Sequence, residues 1–507
     1  MRIPKDQLKI GIILNYINMG VGNIIPIIYT PIMLRILGQE EYGLYKLSSV
    51  ATSYLGLISM GLGAAITRYL IKARTEEGQI AEEKMLGLFL IIFRIIAFIT
   101  LAIGLLLAFN LDIWYSDSLK DQELNKMRIL VFIMVINMAF SFSVSPYISI
   151  VSAHEKFVFF QCMGIVSTCI IPLINLVVLF MGYASIGLAI SSLIIAIVIR
   201  FIYYLYVTNS MNLRPRYNNL PINQLKEILL FSFWIFVANV VSKLYAATDT
   251  MMIGAIPTLA VVGVAVYNVG GVLEGMIGSA TVGISGMLSP RINKMVFSGL
   301  DNKKLTDYSI MIGRIQCYIV SFLMSVFIVF GEPLIHFYLG KDYLEAYWIA
   351  LFIGIPKIIV LAQSVCLNIL IARNMHKFRS IVYLIVAIGN VVVTWTVLPY
   401  WGILGAAFVT GISFLLGHGL IMNWFYWNKV GLDIPRFWKQ VSKVFAIPIF
   451  LCFTGYFVCH YINLYNIVTL MISIIFFSLM LFGFQWYFSF NDYEKNLLKA
   501  PLLKILK

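Results

Sequence analysis

Basic side chains inside long apolar segments are the residues of this chain with the clearest chemistry. Arg94, Arg314, Lys243 and Lys357 each lie within a run of mainly apolar residues. An ionisable group at the centre of a bilayer costs about 2.5 kcal/mol or more, so each one requires a partner, a wet cavity or a function. A guanidinium group matches phosphate oxygens through two parallel hydrogen bonds, whereas lysine supplies a more flexible point charge. These residues therefore predict a cationic cleft that binds an anionic group.

The arginines occur in two similarly spaced pairs. Arg68 and Arg94 are 26 residues apart, and Arg291 and Arg314 are 23 residues apart. Arg68 and Arg291 fall at the ends of predicted helices, where a long basic side chain ordinarily reaches lipid phosphate. Contact with a ligand and a purely lipid-facing role are both open for them. Arg200 lies within reach of the inner interface and ranks below the others.

A second group of polar residues inside apolar runs would suit ion coupling or gating. Glu274 lies beside several glycines, a pattern that permits close helix approach or a wet gap. It is either a protonatable coupling site or the ion-pair partner of Lys243 or Lys357. Asp249 follows as a coupling, capping or gating residue. Asn18, in a first helix that also contains prolines, is either part of a moving gate or a helix-packing contact.

The elements that position these residues are membrane-spanning helices. Charged residues make up 12% of the 507 residues and hydrophobic ones 61%, whereas soluble domains contain about 25% charged residues. A spanning helix needs roughly 20 apolar residues. We predict an all-α integral membrane protein with about fourteen such helices, near 10–35, 46–71, 84–109, 127–152, 157–181, 184–208, 225–250, 260–288, 306–330, 345–371, 378–398, 402–427, 438–460 and 465–488.

The distribution of basic residues tests this count. With the N-terminus placed in the cytoplasm, 26 basic residues fall in cytoplasmic segments and six in outer ones. Cytoplasmic loops of membrane proteins carry an excess of Lys and Arg. A missed helix would assign every later loop to the wrong side of the membrane and would abolish this excess. The excess of basic residues in cytoplasmic segments therefore supports the predicted topology, in which both termini are cytoplasmic. It also explains the net charge of +14 without nucleic acid as a partner.

Two weak sequence echoes indicate an internal repeat. Ala153–Phe157 is echoed by Ala372–Phe378, and Ile186–Ala189 by Leu404–Ala407, in the same order and at similar spacing. They predict two six-helix lobes related by a pseudo-two-fold axis along the membrane normal. The predicted domains are an N-lobe at 1–209, a C-lobe at 210–428, two further helices at 429–490 and a basic amphipathic cytoplasmic tail at 491–507.

Catalytic and cofactor signals are absent from the sequence. The six cysteines have no paired spacing and no nearby histidine cluster, so we expect neither disulfides nor a metal or other cofactor. The chain has no GxxxxGK[ST] loop and no HExxH motif. An enzyme that transfers sugars within the membrane would be expected to carry a large outer loop, and the predicted outer loops are short. We therefore expect a non-enzymatic protein.

Several motifs resemble one family of transporters. The following motifs occur in order along the chain: PIMLRILGQEEYGLY at 31–45, GLGAAITRY at 61–69, SAHEKF at 152–157, and DTMMIG at 249–254 with Gly263 and Tyr267. They are similar to polysaccharide flippases, the Wzx or polysaccharide-transporter branch of the multidrug/oligosaccharidyl-lipid/polysaccharide exporter superfamily. The resemblance implies translocation of an undecaprenyl-pyrophosphate-linked oligosaccharide, of O-antigen, lipopolysaccharide or capsule type, across a bacterial inner membrane by alternating access.

The same resemblance implies the partners. They are the lipid-linked oligosaccharide, membrane lipids, and a glycan polymerase with its chain-length machinery, with H⁺ or Na⁺ as candidate coupling ions. Three alternatives stay open: a lipid II flippase, a multidrug/cation antiporter of the same superfamily, and a membrane glycan polymerase. Organic cations would favour acidic residues inside the membrane, and the intramembrane excess of basic residues in this sequence argues the other way.

Overall fold

The computed structural model describes residues 5–59, 61–373, 375–496 and 499. These residues form α-helices joined by short turns, 3₁₀ segments and π segments, and the described part of the chain contains no strand. The helices are α1 (Lys5–Ser53), α2 (Leu62–Glu77), α3 (Gln79–Phe109), α4 (Asp112–Tyr115), α5 (Asp121–Ala153), α6 (Phe157–Phe180), α7 (Ala184–Leu205), α8 (Leu225–Gly254), α9 (Ala260–Phe297), α10 (Asn302–Tyr338), α11 (Glu345–Ala362), α12 (Ser364–Ala372), α13 (His376–Phe414), α14 (Met422–Phe425), α15 (Ile434–Val441), α16 (Ala446–His460) and α17 (Ile467–Phe488).

Twelve helical stretches of the described chain are long and apolar enough to cross a membrane, which confirms the all-α membrane fold class. Two of the twelve, Leu14–Ser59 and Lys377–Val430, contain 46 and 54 residues. At about 1.5 Å per residue, each is roughly twice as long as a bilayer core is thick. The count of fourteen stays a prediction, since it depends on each of these stretches crossing the membrane twice.

Glycines in the left-handed region interrupt both long stretches. Gly38 has φ +75° within α1, and Gly402 has φ +57° within α13. Side chains rarely adopt such φ values, so glycine allows the chain to kink there without strain. The predicted loop between the first two helices is thus only a kink at Gly38. The second predicted helix is instead broken, by the 3₁₀ segment Tyr54–Ser59 and by Gly61 at φ +70°.

The chain divides into two compact units, Met1–Ala265 and Val266–Lys507. The lobe boundary predicted at residue 209, and the symmetry axis between the lobes, stay predictions. In the first unit, α2, α3, α5 and α7 pack around one apolar core with Phe89, Leu90 and Ile150 at its centre. Helix α3 packs along α5, and α1 packs along α6.

Polar side-chain contacts connect the helices and turns of the first unit. Glu82 in α3 is almost fully buried and lies 2.8 Å from Nε2 of His154, which follows α5. Glu83 accepts a hydrogen bond of 2.6 Å from Nε of Arg216. Just after the kink of α1, Glu41 pairs with Lys126 of α5 at 2.7 Å. These contacts join α3 to the turn after α5 and to the segment after α7, and they join α1 to α5.

The last helices pack on α10 inside the second unit. Phe330 of α10 contacts Phe477 of α17 at a ring-centroid distance of 5.5 Å, and Leu451 of α16 belongs to the same cluster. Of the amphipathic tail predicted at 491–507, residues 497–498 and 500–507 lie outside the described residues. Of the described part, Glu494 is buried.

Candidate functional site

Polar residues recur on one face of each of four helices in the first unit. In α1 they recur at Tyr45, Ser49 and Thr52, a spacing of three to four residues that places them on one helical face. The same spacing occurs in α7 at Ser192, Ala196 and Arg200. Helices α5 and α6 contribute serine, asparagine and methionine at similar intervals. Because small side chains leave space between packed helices, these faces enclose a cavity.

The cavity has a volume of about 820 Å³. Small-molecule sites usually measure about 300–1,000 Å³, so the cavity is large enough for a substantial polar ligand. Eleven described lining residues carry a hydroxyl, amide or guanidinium group, namely Asn18, Tyr45, Ser49, Thr52, Ser53, Asn137, Ser141, Ser167, Ser192, Arg200 and Tyr203. Arg200 is the single charged residue among the described residues that line it, and none of them is a carboxylate.

Several cavity hydroxyls donate to the backbone of their own helix. Thr52 donates to Ser48 O at 2.9 Å, Ser141 to Asn137 O at 2.6 Å and Ser167 to Met163 O at 2.7 Å. A hydroxyl that has used its hydrogen in this way retains lone pairs that accept hydrogen bonds. The cavity wall therefore offers acceptors to a ligand rich in hydroxyl groups.

Asn18 lies at the α1–α6 side of this cavity. Its Nδ2 donates to Oε1 of Gln161 at 3.3 Å, and Thr168 donates to its Oδ1 at 3.4 Å. Gly164 faces the same amide, and a Cβ at Gly164 would come within 2.8 Å of Nδ2. Asn18 thus makes the helix-packing contacts that were one of its two predicted roles, and it also lines the cavity.

Arg200 contributes the positive charge of the cavity. Its NH1 donates to Ala196 O, one turn earlier in α7, at 3.0 Å. Its Nε is buried and has no hydrogen-bond partner among the described residues, and no described carboxylate lies within ion-pair distance of it. From the sequence this residue ranks low because it lies near a helix end. The sequence signal that could have identified Arg200 is the four-residue spacing of Ser192, Ala196 and Arg200, which places all three on one face of α7.

Three of the predicted arginines are exposed and lie against aromatic rings. The guanidinium carbon of Arg68 is 4.6 Å from the centroid of Phe231, and that of Arg94 is 5.8 Å from the centroid of Tyr217. In the second unit, Arg291 lies 5.3 Å from the ring of Tyr308. Cation–π contact of this kind holds a guanidinium group while leaving its N–H groups available.

Arg314 differs from the other predicted cations because its bonds are all internal. Its side chain is 8% exposed and donates to both carboxylate oxygens of Glu494, at 2.6 and 3.0 Å. It also donates to Gln440 O and Ser489 O at 2.9 Å and to the Tyr318 hydroxyl at 2.8 Å. A guanidinium group has five donors, and this site engages all of its nitrogens. The contacts fasten the segment after α17 to α10.

Lys357 and Glu274 form an ion pair in the second unit. Nζ of Lys357 lies 2.8 Å from Oε2 of Glu274, with side chains 32% and 8% exposed. Gly278 and Gly354 flank the carboxyl group, since a Cβ on either would lie 3.5 Å from the Glu274 side chain. Of the two lysines considered as its partner, the structure pairs Glu274 with Lys357. Lys243 is half-buried in α8, and Asp249 is buried in the same helix.

Metal binding was not expected from the sequence. Across the part of the chain that the structure describes, no group of three His, Cys, Asp or Glu residues could hold a metal ion.

Comparisons with known proteins give the fold and the family. The model of the family described as "Polysaccharide biosynthesis protein" matches residues 8–296. The search of curated proteins returned no match. The solved structure of the lipid II flippase MurJ in an inward closed conformation aligns with a TM-score of 0.67 at 15% identity, covering 94% of this chain and 98% of that one.

Multidrug transporters have the same fold. An inward-facing MATE family transporter of the MOP superfamily aligns with a TM-score of 0.63 at 12% identity, covering 82% of this chain and 96% of that one. The MATE multidrug transporter DinF-BH aligns with a TM-score of 0.57 at 16% identity, covering 84% of this chain and 96% of that one. The family match and the shared fold agree with the predicted resemblance to polysaccharide transporters.

Proposed function

This chain belongs to the polysaccharide biosynthesis protein family, and from that premise we propose that it is a flippase for an undecaprenyl-pyrophosphate-linked oligosaccharide. The cargo is a repeat unit of O-antigen or capsule type, moved from the cytoplasmic to the outer leaflet of a bacterial inner membrane. Both termini lie in the cytoplasm in this proposal. The two units alternate access to the cargo while the polyprenyl tail stays in lipid.

The composition of the first unit's cavity is the observation that carries this proposal. A sugar head group presents many hydroxyl groups, and the cavity offers hydroxyl and amide groups from four helices. Its volume suits a head group and not a long polyprenyl tail. The absence of a carboxylate among its described lining residues disfavours an organic cation, because a cation in an apolar medium requires a compensating negative charge.

The predicted basic residues have different roles in the proposed function. Arg68, Arg94 and Arg291 are exposed and keep donors available, so we retain them as phosphate contacts on the cytoplasmic side. Arg314 is left out because Glu494 already neutralises it. Lys357 is paired with Glu274, so this pair is retained for coupling to H⁺ or Na⁺ and not for cargo contact.

The test is translocation by the purified full chain in proteoliposomes. Undecaprenyl diphosphate that carries a fluorescent trisaccharide is incorporated, and a membrane-impermeant quencher measures how fast label moves between leaflets. We expect faster movement than in protein-free vesicles. Movement no faster than in protein-free vesicles would refute the flippase. Export of a cationic rhodamine dye without movement of the glycan lipid would favour the multidrug antiporter, and preference for lipid II would favour the other flippase branch.

A pair of serines in α5 supplies a matched control for the cavity. Ser141 lines the cavity, whereas Ser143 is not among its lining residues, and both donate to the carbonyl four residues earlier. Leucine at position 141 replaces a hydroxyl group of the cavity wall with a larger apolar side chain, so Ser141→Leu should slow translocation about tenfold, a cost of about 1.4 kcal/mol. Ser143→Leu should leave the rate within about twofold. Equal rates in the two variants would show that the cavity does not hold the cargo.

A further inference from the structure

Arg200 is a charged residue whose surroundings do not neutralise it. It lines a cavity of about 820 Å³ together with Ser192 and Tyr203 of the same helix. One backbone carbonyl accepts from its NH1, and its buried Nε has no partner within the described residues. A buried polar atom without a partner is unfavourable, and more so when it belongs to a charged group. The fold therefore carries an unfavourable group at this position, which a ligand would relieve.

The contrast with Arg314 shows how this fold treats a buried guanidinium group that has only a structural role. Arg314 has a carboxylate, two backbone carbonyls and a hydroxyl around it. Arg200 has one carbonyl from its own helix and no described carboxylate within 4 Å. All nitrogens of Arg314 in the second unit thus have acceptors, whereas Arg200 in the first unit keeps donors that no described residue uses. That difference is expected if the missing partner of Arg200 arrives with a ligand.

The chemistry of the missing partner follows from the donors. Nε and the terminal nitrogens of a guanidinium group form a planar fork that fits two oxygens of a phosphate, and phosphate binding by arginine is commonly bidentate. The predicted topology places Arg200 in the cytoplasmic half of α7, where an entering head group would present its phosphates. The hydroxyl groups of Ser49, Ser53 and Ser141 line the same cavity and leave room for sugars beyond the phosphates.

We propose that Arg200 binds the diphosphate of the lipid-linked cargo inside the cavity of the first unit. This inference rests on the proposed function and deepens it, since it names a cavity residue that binds the phosphates after the exposed arginines on the cytoplasmic side have met them. Removal of the fork should weaken diphosphate binding without unfolding the protein, because the side chain contributes only one hydrogen bond within its own helix to the apo fold. The same phosphate chemistry is present in phospholipid head groups, so the test separates the two sources.

The experiment is equilibrium binding of radiolabelled farnesyl diphosphate to the full chain in phosphatidylcholine nanodiscs. Arg200→Gln should bind about tenfold to a hundredfold more weakly than the natural sequence, the loss expected for one charge-assisted fork. Arg200→Lys, which keeps the charge but loses the fork, should fall between the two. Arg436→Gln is the matched control, since it removes an exposed guanidinium that pairs with Asp307 at 2.6 Å on the surface. Its affinity should not change.

Thermal unfolding of each variant verifies that loss of binding is not loss of fold. Unchanged affinity in folded Arg200→Gln would overturn the assignment, and so would equal losses in Arg200→Gln and Arg436→Gln. Displacement of bound farnesyl diphosphate by a small mole fraction of phosphatidylglycerol in the nanodisc would also overturn it, in favour of a lipid site. Arg200-dependent diphosphate binding by a protein that fails to translocate the glycan lipid would support the anion site and refute the proposed function alone.

Discussion

The buried ion pair between Arg314 and Glu494 allows a quantitative test of how the C-terminal segment is held. The two side chains are 8% and 5% exposed, and the residues are 180 positions apart in the sequence. We predict that Glu494→Gln releases the segment around 489–496 from α10. Glutamine keeps an oxygen that can accept from Asn491 N, as Glu494 does at 2.8 Å. The substitution therefore removes the charge of the pair more than it disturbs the local turn.

The magnitude follows from the burial of both groups. Breaking a buried ion pair by removing one partner costs about 3–5 kcal/mol, because the remaining charge is left uncompensated. The amide oxygen of glutamine still accepts one bond from Arg314, so the lower end, about 3 kcal/mol, applies. Since every 1.4 kcal/mol is about a factor of ten, the segment should open more than a hundredfold more often.

Amide hydrogen exchange of the full chain in detergent measures this opening directly. Protection at Glu494 and Lys495 should fall about a hundredfold in Glu494→Gln, while the helix core of α3 should keep its protection. The double variant Arg314→Met with Glu494→Met should regain much of the loss, because replacing a buried pair by apolar residues is often close to neutral. Unchanged protection in Glu494→Gln, or no recovery in the double variant, would refute the reasoning.

Two further substitutions test contacts elsewhere in the chain. Gly43→Ala places a Cβ against the carbonyl oxygen of Val261. The fraction of this variant that elutes as a folded monomer in size-exclusion chromatography should therefore fall sharply. Gly22→Ala is the control, because Gly22 has open space around it, and it should elute as the natural sequence does. Lys357→Met leaves the buried Glu274 carboxylate without its ion-pair partner, so it should lower the thermal unfolding temperature. Adding Glu274→Gln should restore most of the lost unfolding temperature. Equal unfolding temperatures for the single and double variants would contradict the role of the ion pair.

The membrane fold class was accessible from the sequence because its signal is local. A run of about 20 apolar residues partitions into lipid whatever lies elsewhere in the chain, so the helices near 84–109, 127–152 and 157–181 correspond closely to α3, α5 and α6. The breaks were harder to predict. Gly38 and Gly61 both have positive φ, yet the first only kinks α1, while the second separates two elements, a difference that depends on tertiary packing around each glycine.

The residue types of the site were also accessible from the sequence, but their partners were not. Composition and hydropathy located the intramembrane cations and Glu274, and the family motifs pointed to a transporter. Which carboxylate meets which cation depends on helix rotation and packing, which bring Glu274 to Lys357 across 83 residues and Glu494 to Arg314 across 180. The same packing saturates Arg314 and leaves Arg200 facing a cavity. Sequence alone thus determined which charged residues lie within apolar helices, and the tertiary structure decided which of them are neutralised by a described partner.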